Sequence, residues 1–83
     1  MVVVKTDTDI YLNVEGFCAS GGDDYNRPGL YIKPTSCDEY VPVTYCDVKK
    51  AREMLCDISR VIGRYRSDVL VLRIYDDGKI ILL

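Results

Sequence analysis

Acid–base or nucleophilic chemistry in this chain rests on carboxylates, thiols and phenols, because its 83 residues include no histidine. Catalysis near neutral pH usually uses histidine, or a carboxylate whose pKa a pocket has raised. The paired carboxylates, Asp7 with Asp9, Asp23 with Asp24 and Asp76 with Asp77, all fall in turn-like stretches. Aspartate is favoured there because its side chain hydrogen-bonds the neighbouring backbone. Cys56 sits one helical turn from Arg52 and Arg60, and nearby cations favour a thiolate, but no base accompanies it. Cys18, Cys37, Cys46 and Cys56 contain no C-x-x-C pair, so zinc would need four scattered thiolates. No phosphate-binding loop, dinucleotide fingerprint, nucleophile elbow or calcium-loop spacing occurs. The expectation is a protein that is not an enzyme and uses neither metal nor cofactor.

Binding chemistry is better represented, with seven tyrosines among the aromatic residues. Where they point depends on the elements that carry them. Thr44–Arg66 is the one stretch with helical spacing: Val48, Ala51, Leu55, Ile58, Ile62 and Tyr65 recur at steps of three and four, which makes one apolar stripe. Met54 and Val61 flank it. Thr44 followed by Asp47 resembles a weak capping box. Cys46, Lys49, Glu53, Cys56, Arg60 and Arg64 fall on the opposite, solvated side, and Gly63 weakens the last turn.

The remainder reads as strands. Val2–Lys5 and Ile10–Glu15 form a hairpin, with Ile10, Leu12 and Val14 buried and Tyr11, Asn13 and Glu15 exposed. A long Gly- and Asp-rich loop covers Gly16–Gly29. Leu30–Lys33 and Glu39–Val43 are short strands, the second held to an edge by Pro42. Val69–Tyr75 and Lys79–Leu83 make a C-terminal hairpin around Asp76-Asp77-Gly78, with the glycine at the position that needs positive φ. The expected architecture is one α+β domain over residues 1–83: a single helix packed on one face of a mostly antiparallel five- to six-stranded sheet, in the order β-β-β-β-α-β-β.

One helix covers one face of such a sheet, so the other face must be read from alternate positions. With Leu30, Ile32, Val41, Val43, Leu70, Leu72 and Ile74 towards the helix, the open face carries Tyr11, Tyr31, Lys33, Tyr40, Val69, Val71, Arg73 and Tyr75. The final strand adds Lys79, Ile81 and Leu83, or Ile80 and Leu82, according to register. Large contiguous apolar surface is rarely left in water, and tyrosine and arginine are favoured interface anchors. The expected contact residues are Tyr11, Tyr31, Tyr40, Arg73 and Tyr75. Asp23, Asp24 and Tyr25 form a second, acidic site suited to a basic groove on a partner. The expected function is a protein-interaction module working as a homodimer or on a protein partner. The alternative is a single-stranded nucleic-acid-binding protein whose bases stack on tyrosines beside Lys33 and Arg73. Small acidic tyrosine-rich domains are common among virus and mobile-element products that modulate host complexes, a likeness of size and composition only.

Net charge is −2 but unevenly spread: residues 1–46 carry three basic and seven acidic groups, residues 47–66 carry six and three. The helix is locally basic in an acidic chain. No signal peptide and no apolar run of roughly 20 residues is evident, so no membrane association is expected and a cytoplasmic location is the default. Cys46 and Cys56 stand too far apart on one helix to be bridged, whereas Cys18, Cys37 and Cys46 offer other pairings that the sequence leaves open.

Overall fold

The computed structural model describes residues 1–65 and 67–83, and among these the chain forms seven strands and one helix. In order these are β1 (Val2–Lys5), β2 (Ile10–Tyr11), β3 (Val14–Ser20), β4 (Gly29–Pro34), β5 (Val41–Tyr45), α1 (Val48–Arg64), β6 (Leu70–Ile74) and β7 (Ile80–Leu82). The α+β class with a single helix packed on strands stands. The strands divide into two sheets rather than one. One has the order β2-β1-β6-β7 and the other β3-β4-β5. Every pairing is antiparallel except that of β1 with β6, which is parallel and joins the two ends of the sequence across everything between them.

The core lies where the two sheets and α1 meet. Val4 on β1 and Leu70, Leu72 and Ile74 on β6 come from the four-stranded sheet; Val14, Leu30 and Ile32 come from the three-stranded one; Ala51, Met54 and Ile58 come from the helix. Strict alternation of burial along β6 follows from its period of two.

The helix starts later than its sequence spacing suggests, because residues 41–45 continue as a strand. Asp47, not Thr44, is the N-cap: its carboxylate accepts the backbone N–H of Lys50 at 2.8 Å. Thr44 pairs with Leu30 in the three-stranded sheet. Arg66, the last residue of the expected helix, lies outside the described residues. The buried line is also rotated. Ala51, Met54 and Ile58 are fully covered, with Val61 and Tyr65 packed beside them, whereas Ile62 is 37% exposed. A helix seated between two sheets is covered on a different arc from one lying on a single sheet, and this brings Met54 to the centre.

Two strand assignments change. The expected long loop over Gly16–Gly29 contracts to residues 21–28, because Gly16-Phe17-Cys18-Ala19-Ser20 continues β3 and pairs with β4. Its composition is poor in β-branched residues, so pairing with β4 decides it rather than propensity. Asn13, at φ 53°, breaks the expected strand Ile10–Glu15. Before the break the alternation is reversed, with Ile10 and Leu12 exposed and Tyr11 packed towards the core beside Val4, whereas after it Val14 is buried and Glu15 exposed as expected. A one-residue change of phase moves every side chain of a strand to the other face.

The Asp76-Asp77-Gly78 turn forms as expected. Gly78 sits at φ 92°, its N–H donates to the Tyr75 carbonyl at 2.9 Å, and Asp77 accepts the Lys79 N–H at 2.9 Å.

Candidate interaction surfaces

Registers assign the outer face of the four-stranded sheet, away from the core. Val3 lies opposite Val71, Lys5 opposite both Ile10 and Arg73, and Arg73 opposite Ile81. Directly paired residues share a face. Val3 is only 8% exposed although it belongs to no core cluster. Around it stand Ile10, Val69 and Leu83, between 48% and 60% exposed. This is the apolar sheet surface that the sequence leads one to expect, with a different membership.

Arg73 is tied down within that face. Its guanidinium donates to the Thr6 carbonyl at 2.6 Å, pairs with the Asp7 carboxylate, and lies 4.9 Å from the Tyr75 ring centroid. A cation held over an aromatic face by a carboxylate makes a fixed, partly desolvated platform. Arg73 and Tyr75 are therefore together, as expected.

The other expected contact residues are elsewhere. Tyr31 and Tyr40 lie on the outer side of the three-stranded sheet, lining a hollow with Cys18, Ser20, Asn26 and Glu39. Tyr31 is 7% exposed and its hydroxyl donates to the Arg27 carbonyl at 2.6 Å. Burial raises its phenol pKa above the ordinary value. Tyr40 is half-exposed and lies across the backbone of Gly16, its hydroxyl oxygen 2.7 Å from where a β-carbon would stand. Lys33 is engaged by Glu15, whose hydrogen bond raises the pKa of the ammonium, and by the Cys37 carbonyl at 3.2 Å. Tyr11 faces the core, and burial raises its pKa as well. The single face expected for Tyr11, Tyr31, Tyr40, Arg73 and Tyr75 is thus split three ways, because there are two sheets and β2 is out of phase.

The acidic loop is a built turn. The Asp23 carboxylate accepts the N–H groups of Tyr25 at 2.8 Å and Asn26 at 2.7 Å, which holds its pKa below the ordinary value. Gly22, at φ 85°, permits the reversal. Tyr25 projects from this turn and is 94% exposed beside Asp24.

A further groove, absent from the sequence-based expectations, runs between the second half of α1 and the β6–β7 hairpin. It is lined by Asp57, Arg60, Val61 and Arg64 from the helix and by Gly78, Lys79 and Ile80 from the hairpin. The basic excess of residues 47–66 was its visible signal; its position against β7 was not visible, since that depends on how the helix docks.

All four cysteines are free thiols; Cys56 is exposed and burial raises the pKa of Cys46. Among the described residues no three cysteine or carboxylate side chains group as metal ligands, and no helix is long and apolar enough to cross a membrane. No protein-family model matches the chain, and neither a curated protein nor a solved structure shows significant similarity to it.

Proposed function

We propose that this protein is a small non-enzymatic interaction module that forms a homodimer through the outer face of its four-stranded sheet. The observation that carries this reading is the apolar set Val71, Ile81 and Leu83 on the sheet face away from the core, flanked by Ile10 and Val69; Ile10, Val69 and Leu83 are each about half-exposed, and among the described residues no strand or helix packs over them. Such a face resembles the core of an interface, with the Arg73–Tyr75 pair as an ordered polar anchor at its margin. Light scattering tests it. The wild type is expected at twice the mass of one chain, and Val69→Glu with Ile81→Glu at the mass of one, with an unchanged far-ultraviolet circular dichroism spectrum. A monomeric wild type, or a dimer that survives both charges, removes the reading.

The exposed Tyr25 supports a second mode of action, capture of a basic partner groove by the Asp23-Asp24-Tyr25 loop, as in a modulator of a host complex. Charge reversal by Asp23→Lys with Asp24→Lys is expected to abolish such capture, and unaffected capture refutes it. The single-stranded nucleic-acid reading receives no comparable support, since its tyrosines are divided among three faces and Lys33 and Arg73 already have carboxylate partners.

A further inference from the structure

Strand β7 is the last in its sheet, and among the described residues only β6 pairs with it. The Leu83 N–H donates to the Val71 carbonyl and the Tyr75 N–H to the Lys79 carbonyl, each at 2.9 Å, with Ile81 opposite Arg73 between them. In an antiparallel ladder alternate residues bond to the same neighbour. Residues 79, 81 and 83 therefore bond inwards, and the N–H and C=O groups of Ile80 and Leu82 point out along the open edge. Such groups are a template for a further strand unless charge, proline or a covering element blunts them. Directly beside this edge lies the groove between α1 and the hairpin, where Arg60, Arg64 and Lys79 outnumber the one carboxylate, Asp57, and Val61 with Ile80 supplies an apolar lining.

We infer that the β7 edge and this groove form one docking site for an extended, acidic segment of a partner protein, which adds to the sheet as a fifth strand. The backbone of the segment satisfies Ile80 and Leu82, which supplies affinity without regard to sequence. Side chains at alternate positions of the segment lean over the helix, where Arg60 and Arg64 select carboxylates; this division of labour is the general logic of strand addition. The Arg60–Asp57 pair, at 3.3 Å and solvent-exposed, is weak and yields readily to a better acceptor. The site uses the edge and helix side of β7, apart from the outer face, and stands or falls independently of dimer formation.

The probe is a synthetic peptide of alternating valine and glutamate, roughly seven residues long, the length of an ordinary strand. It is titrated into isotopically labelled full-length protein and followed by amide chemical shifts, in the wild type and in the Val69→Glu, Ile81→Glu variant. The expected result is that the Ile80 and Leu82 amides shift and are protected from hydrogen exchange. The same peptide with lysine for glutamate should bind at least tenfold more weakly. Arg60→Glu with Arg64→Glu, at exposed helix positions that leave the fold intact, should lower affinity for the glutamate peptide at least tenfold. Equal binding of both peptides, or shifts that spare Ile80 and Leu82, overturns the inference. So does displacement of the peptide by oligothymidylate, which would make the groove a phosphate site, or concentration-dependent protection of Ile80 and Leu82 without peptide, which would make the occupant a second copy.

Discussion

The hydroxyl of Thr44, in the last strand of the three-stranded sheet, donates to the carbonyl of Asp76 in the β6–β7 turn at 3.3 Å. It is a direct hydrogen bond between the two sheets, from a buried side chain to an exposed turn. Thr44→Val keeps the shape and removes the donor. The acceptor can turn to water, so the expected loss in chemical denaturation is about 0.5–1.5 kcal/mol, and a change within error would show that the bond contributes nothing.

The rotated helix stripe separates two substitutions that the sequence ranks the other way. Met54 is 2% exposed at the junction of helix and sheets, so Met54→Ala should cost about 2–5 kcal/mol through lost contacts and a residual cavity. Ile62→Ala, on the open side, should cost less than about 1 kcal/mol. Equal losses would restore the stripe read from spacing alone.

Gly29 is fixed by close approach of β5. A β-carbon there would stand 2.2 Å from the Thr44 carbonyl oxygen and 3.0 Å from the Tyr45 α-carbon, both backbone atoms that cannot swing aside. Gly29→Ala should destabilise by about 1–3 kcal/mol or more, with loss of protection at the amides joining β4 to β5. A fully stable alanine variant would contradict the pairing at this point.

The Asp23 turn should respond to acid. Its folded carboxyl is depressed below the ordinary value of 3.8 by the Tyr25 and then the Asn26 backbone donors. Its stabilisation of the loop is therefore complete above the unfolded pKa and is lost as pH falls through the lower, folded one. Carboxyl-carbon titration by NMR should place the Asp23 midpoint below 3.8, with the Tyr25 and Asn26 amides moving together with it. An Asp23 midpoint at or above the ordinary value would remove the turn.

Thiol titration should resolve the cysteines in order of access. Exposed Cys56 is expected to react first with an aromatic disulfide reagent, and Cys46, half-buried with its thiolate disfavoured by burial, well after it. If Cys46 is modified as fast as Cys56, the packing at the start of α1 is looser than described.

Local chemistry settled several features before any fold was known. The Asp76-Asp77-Gly78 reversal, the alternation of Leu70, Leu72 and Ile74, and a basic, amphipathic helix over most of residues 48–64 each depend on residues within a few positions of one another. Turn propensity and side-chain period act at that range. The α+β class followed from them.

Tertiary structure decided which strands share a sheet and which faces remain open. Tyr11 turned to the core because Asn13 interrupted its strand, and β3 formed in a glycine-containing stretch because β4 offered it a ladder. The parallel union of β1 with β6 placed Val3 beside Val71, far apart in sequence. Whether a tyrosine or valine is a contact residue depends on the sheet to its left and right, and such pairing is fixed by non-local burial that no window of neighbouring residues contains. For the same reason the charge of the helix was legible in the sequence, while its alignment with the free edge of β7 was set only when α1 docked between the two sheets.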